Sequence, residues 1–118
     1  MDKYFATPFN DAKSGLALGF ADFIRRLSIR LGALPEEAKA AGHAALSVIE
    51  ALAEGDVCAD LRRLAQSLGR PPEDVRALLY GSKVTVCGGE DKKLPLVCDD
   101  AGRIYLYRYF DYEKQLAN

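Results

Sequence analysis

No stretch of this chain approaches the ~18 consecutive apolar residues that a membrane-spanning helix needs, so no helical anchor is expected in it. Lys3, Asn10, Asp11 and Lys13 interrupt the N-terminal stretch, which also lacks the continuous apolar run of a secretory leader. Charge of one sign is missing as well. Sixteen Lys+Arg stand against 17 Asp+Glu, a net charge of −1 at pH 7. Nucleic-acid binding would therefore have to come from a local patch. The three cysteines, Cys58, Cys87 and Cys98, are an odd number at wide spacings. That pattern argues against a disulfide framework and fits buried thiols in a reducing compartment. The expected location is the cytoplasm.

Catalytic motifs are absent too. A phosphate-binding loop needs Gly-x-x-x-x-Gly-Lys-Ser/Thr, and the nearest glycine clusters, Gly15/Gly19 and Gly88/Gly89, lack the Lys-Ser/Thr that should follow. No ATP hydrolysis and no cofactor are expected of this chain. His43 is the only histidine. Ser47 lies four residues on, on the same helix face, but no second base or nucleophile motif accompanies the pair. His43 is read as a helix-surface or boundary residue, and no residue as catalytic. Cys58, Cys87, Cys98 and His43 contain the donors of a three-Cys, one-His zinc site. Structural zinc sites draw ligands from close pairs, whereas every gap here is long. The preferred reading is buried small hydrophobes and no metal.

What is present is ordinary globular material: 118 residues, 49% apolar and 28% charged, enough for one domain over residues 1–118. Residues 1–12 read as an irregular lead-in. Leu16, Phe20, Phe23, Leu27 and Leu31 then fall at helical spacing, with Gly32 as a stop. Pro35-Glu36-Glu37 opens a second helix that should bury Ala38, Ala41, Ala45, Ile49 and Leu52, its alanines allowing close approach, before Gly55 ends it. Asp56 to Ala59 suits a short pairing segment. Asp60 is an N-cap for a third helix (Leu61, Leu64, Ala65, Leu68) closed by Gly69. Pro71-Pro72-Glu73-Asp74 starts a fourth, with Val75, Leu78 and Leu79 inward and Gly81 at its end. Val84 to Cys87 reads as a strand and 88–93 as a polar loop. The fold class expected is α+β: a mostly helical bundle followed by a small antiparallel hairpin or sheet near the C-terminus.

Residues 94–116 carry the strongest pattern. An apolar run reaches a turn at Asp99 to Gly102. Ile104 and Leu106 then alternate with Tyr105, Tyr107 and Tyr109, the mark of a strand with two unlike faces. Residues 108–117 have the character of a final helix, as though leading into something further. This segment resembles the end of the N-terminal domain of the RecD family, the alpha subunit of exodeoxyribonuclease V. The family carries a Pro-Leu-Val hairpin and then a Tyr-Leu-x-Arg-Tyr-Trp-x-Tyr-Glu type of segment. The matching residues here are Pro95, Leu96, Val97, Tyr105, Leu106, Arg108, Tyr109, Phe110 (where the family often has Trp), Tyr112 and Glu113. Weaker echoes are Phe20-Ala21-Asp22-Phe23 and Gly55-Asp56-Val57-Cys58-Ala59-Asp60-Leu61. The resemblance implies a non-catalytic docking domain whose motor domains lie outside this chain. The parent would be an ATP-dependent 5′→3′ helicase of double-strand-break repair by recombination. Its expected partners are the gamma (RecC-like) subunit and the beta subunit, with DNA met only through the full complex.

Three readings of the aromatic segment stand side by side. Tyr105, Tyr107, Tyr109, Phe110 and Tyr112 suit base stacking, but Arg103, Arg108 and Lys114 are opposed by Asp111 and Glu113. They also suit the cover of an aliphatic core, or a protein–protein surface, where Tyr and Arg are over-represented. The interface candidates are Tyr105, Tyr107, Arg108, Tyr109 and Tyr112. The order helix, strand, two helices, hairpin also fits a winged helix, with residues 72–80 in a groove and the loop around Glu90 to Lys93 as wing. The helix that would read DNA opens Pro-Glu-Asp, which places carboxylates where phosphates should lie.

Overall fold

The computed structural model describes residues 8–88 and 93–107. The first helix, α1 (Pro8–Arg30), begins earlier than the irregular lead-in over residues 1–12 allows. Proline tolerates the first turn because its missing N–H has no helical acceptor there. α1 stops at Gly32, whose φ of 102° is left-handed. The Ala33 N–H returns to the Ser28 carbonyl at 3.1 Å and that of Gly32 to Ile29 at 3.0 Å, which satisfies carbonyls the helix end would orphan. α2 (Pro35–Ala53) follows after two residues of extended chain. Leu34 has no side chain able to cap it, so Glu37 supplies half of a capping box, its Oε1 accepting the Leu34 N–H at 2.8 Å.

α2 is the central helix. Ala38, Ala40, Ala41, Gly42, Ala44, Ala45 and Val48 are all buried, the pattern of a helix packed on more than one side. One of its faces meets α1. A Cβ built on Gly42 would lie 3.3 Å from the Ala21 carbonyl oxygen, so the two backbones are nearly in contact. The opposite side meets α4 and the sheet. Val48 takes the place expected for Ile49 and Leu52, which are only half-buried.

The chain then enters β1 (Ala59–Asp60) and turns at once into α3 (Leu61–Leu68). Asp60 serves both elements: it pairs with Arg103 in the sheet, and its carboxylate accepts the Arg62 N–H at 3.0 Å as N-cap. Gly69 ends α3, and α4 (Pro72–Gly81) starts on a second proline. At the C-terminal end of α4 three buried hydroxyls find partners. Ser28 donates to the Ser82 carbonyl at 2.5 Å, Ser82 to the Leu79 carbonyl at 2.5 Å, and Ser82 and Thr85 meet at 3.1 Å. These bonds tie α1, α4 and the start of the sheet together at little desolvation cost.

Three strands complete the sheet: β2 (Thr85–Cys87), β3 (Leu96–Cys98) and β4 (Arg103–Leu106). Their order is β1-β4-β3-β2. The β3–β4 hairpin is antiparallel, as the alternation and the Gly102 turn predict, and β1 is antiparallel to β4. β2, however, runs parallel to β3, so the sheet is mixed rather than antiparallel. β2 and β3 are three residues each, too short for alternation in the sequence to mark a direction. Ile24, Val48, Val75, Leu79, Val84, Leu96 and Ile104, with no exposed surface, form the core between the helices and one sheet face.

Candidate interaction faces

Strand β4 divides its side chains as its alternation dictates. Ile104 and Leu106 join the main core, while Tyr105 and Tyr107 belong to a second apolar cluster built on Val86 and Val97. Tyr105 is 5% exposed, so the ring is part of this second interior rather than an open platform. Tyr107 is half-buried beside it. Of the other interface candidates, Arg108, Tyr109 and Tyr112 lie outside the described residues, as does the final helix expected over 108–117.

The turn that positions Tyr105 is organised by Asp99. Its carboxylate accepts the N–H groups of Ala101 (3.0 Å) and Arg103 (2.9 Å) and pairs with the Arg103 guanidinium at 2.9 Å. The same guanidinium lies 5.9 Å from the centroid of the Tyr105 ring, a favourable stacking of cation on aromatic face. The Asp99 carboxylate raises the Arg103 pKa further. On the other side, Arg76 of α4 donates to the Asp99 carbonyl at 3.1 Å. A single aspartate thus fixes the hairpin to both the aromatic cluster and the helical layer.

The cysteines are shared between the two sheet faces. Cys58 packs with Val86, Val97 and Tyr105 on one, while Cys87 and Cys98 pack against the main core on the other. This separation, with His43 on α2, keeps the four donors of the sequence pattern from converging. Burial raises the Cys58 pKa, leaving it a thiol rather than an activated nucleophile. His43 is half-buried, and burial together with Lys39 lowers its pKa. No hydrogen bond joins it to Ser47 among the described residues. A broad trough of about 1060 Å³ runs along the C-terminal end of α2, where Glu50, Glu54, Asp56 and Asp60 face Arg63 and Arg103. It combines both signs of charge along one open wall.

The face that sequence periodicity misplaces is on α1. Phe23 (56% exposed), Leu31 (50%) and the neighbouring Leu34 (64%) stand at the surface, although helical spacing puts Phe23 and Leu31 in the inward stripe. Ala17, Ile24 and Ser28 are buried in their place. At Gly42 the backbone of α2 comes so close to Ala21 that a phenyl ring has no room there, and Ile24, in the same stripe, fills the deeper core. The displaced residues leave a hollow of about 250 Å³ beside Gly19, Phe23 and Leu27, rimmed by Asp22, Arg26 and Arg30. Asp22 pairs with Arg25 and Arg26, each at 2.8 Å, and the Arg25 hydrogen bond lowers its pKa. Tyr80 on α4 is likewise 60% exposed. The available signal was Ala17, Ala21 and Ser28 at helical spacing, a small-residue stripe matching the alanines of α2.

In comparison with known proteins, the chain matches no family model, no curated protein and no solved structure.

Proposed function

We propose that this chain is a non-catalytic docking domain, the N-terminal domain of a RecD-like alpha subunit of exodeoxyribonuclease V. The observation that carries the docking role is the outward flank of α1. Phe23, Leu31 and Leu34 are large, apolar and at the surface. Large exposed apolar residues, with Phe23 set beside Asp22, Arg26 and Arg30, have the composition of a protein-binding face. The RecD-like assignment rests on the resemblance of the C-terminal segment. Two of its parts, Pro95-Leu96-Val97 and Tyr105-Leu106, fall on β3 and β4 and their lead-in. The partner in this reading is the gamma subunit, with the beta subunit as a further neighbour. DNA is reached only through the assembled enzyme, the location is cytoplasmic, and the motor activity belongs to other domains of the parent.

A second reading is supported by connectivity. Helix α2, strand β1, helices α3 and α4 and the β3–β4 hairpin follow one another as in a winged helix, with β1 beside the last strand. In that frame α4 would enter the groove. The wing expected around Glu90 to Lys93 lies outside the described residues except for Lys93, and the Asp99–Gly102 turn is the tip of the described hairpin. Glu73 and Asp74 open α4, and Asp99 and Asp100 lie on the turn. Both α4 and the hairpin tip carry carboxylates, which favours a protein partner over a nucleic acid.

Titration of the folded chain with purified gamma subunit, without ATP, tests the first reading. Saturable binding that weakens at least about tenfold in Phe23→Glu is expected, since a charge would be buried in an apolar contact. No binding at high concentration, with circular dichroism showing an intact fold, would refute it. Retardation of duplex DNA that fades as salt rises would favour the second.

A further inference from the structure

Cys87 and Cys98 stand directly opposite each other in the parallel β2–β3 pair. Both side chains pack toward the same face, which brings the two thiols side by side, and the Cys98 thiol also reaches the Asp99 carbonyl at 3.9 Å. We propose that these two residues form a redox modification site, closing reversibly into a disulfide that staples the edge strand β2 to β3. Adjacent strands lie about 4.8 Å apart, inside the 4.4–6.8 Å range of Cα separations that a disulfide spans. A disulfide with one sulfur on a half-buried edge strand stays within reach of a small reductant, which can reopen it.

The two sulfurs have different roles. Cys87 is half-buried at the end of the edge strand, while Cys98 has no exposed surface. Cys87 is therefore the sulfur a small oxidant reaches, and Cys98 the one that resolves. The hydrogen bond from Cys87 lowers the Cys98 pKa, and the Arg76 guanidinium adds to this against the cost of burial. Thiolate character in the pair is what exchange chemistry needs. With a peroxide as oxidant, the proton of the pair passes from Cys87 to Cys98, and the Cys87 thiolate so formed attacks one oxygen. An S–O bond forms, the O–O bond breaks, and the departing hydroxide takes up the proton of the thiol pair. The Cys98 thiolate then attacks the Cys87 sulfenic acid, forming S–S and releasing the second oxygen as water once protonated. Two thiols and one hydrogen peroxide become one disulfide and two waters. Cys58, on the opposite sheet face beside Tyr105, takes no part.

The experiment treats the folded protein with hydrogen peroxide, counts thiols and maps peptides. Two of the three thiols should be lost, Cys87 should be found joined to Cys98, and dithiothreitol should restore both. Phenylarsine oxide, which bridges adjacent thiols, should bind the reduced protein and not the oxidised one. Cys58→Ser should leave all of this intact, and Cys87→Ser, at a half-buried position, should abolish both readouts while the fold is retained. Amide exchange in β2 should slow by about tenfold on oxidation, as the edge strand loses local opening. A disulfide that includes Cys58, sulfinic acid at Cys87 beside a reduced Cys98, or three thiols surviving peroxide that oxidises the unfolded chain would each overturn the proposal.

Discussion

At the seam between α1 and α2 the facing side chains are small, with Ala17, Ala21 and Ser28 on one helix and Ala38, Gly42 and Ala45 on the other. The large residues Phe23 and Leu31 are turned out to solvent. The β3–β4 hairpin places its residues the other way: β4 buries Ile104 against the helices and Tyr105 in a second cluster on the far face. The difference is one of available depth. Two helices that approach to near backbone contact have no room between them for a ring, so size overrides apolarity. A sheet face keeps its neighbours farther off, about 10 Å between layers, and accepts bulky residues on both sides. Exposed apolar surface on this molecule is thus a by-product of tight packing, and the docking face proposed above is where that by-product collects.

Two adjacent residues test this contrast most sharply. Ile24 has no exposed surface and Phe23 is 56% exposed. Ile24→Ala should destabilise the fold by about 2–5 kcal/mol, the transfer and cavity terms together. Phe23→Ala, nominally the larger deletion, should cost no more than about 0.5 kcal/mol. Urea unfolding of both variants decides the matter, and a large loss for Phe23→Ala would mean that the α1 flank is core after all. The seam itself is probed at Gly42. Alanine there gains about 1 kcal/mol of helix propensity, while its Cβ, 3.3 Å from the Ala21 carbonyl, presses on a backbone that can give a few tenths of an ångström. Those effects should nearly cancel. Gly42→Leu has no such escape and should cost about 1–3 kcal/mol by overpacking.

Much of the fold was legible because local chemistry and tertiary structure agree. Gly32 and Gly69 do end helices, Asp60 does cap α3, the prolines do open α2 and α4, and β4 sorts its side chains by alternation. The failures are those of long-range geometry. Periodicity reports which residues share a helical face but not how near the next backbone comes, so the buried stripe of α1 was rotated toward Phe23 and Leu31. Short strands carry no directional signal, which hid the parallel pairing of β2 with β3 and with it the juxtaposition of Cys87 and Cys98. The interface candidates fared according to the same logic. Tyr105 was recognisable as a strand residue, but its burial among Val86 and Val97 depends on which strands lie beside it.

The smallest effect concerns His43, on α2 between the seam and the solvent. Burial and the nearby Lys39 charge hold its pKa below the ordinary 6.5, because both disfavour the imidazolium. In the unfolded chain the ring takes up a proton near pH 6.5, and in the folded chain only at lower pH. The unfolded state therefore binds more protons in that interval, and stability must fall as pH drops from about 6.5 toward the folded value. The loss should stay below about 1 kcal/mol, since the ring is only half-buried. Asp22 adds a separate window at more acid pH: its pKa lies below the ordinary 3.8, so what it contributes is lost only as pH falls past that value. Thermal melts across pH 5–7 report the first window without the second. His43→Gln should flatten the upper slope, Lys39→Gln should shrink it, and Phe23→Ala should leave it untouched, because the titrating ring answers to α2 and its neighbours and not to the exposed flank of α1.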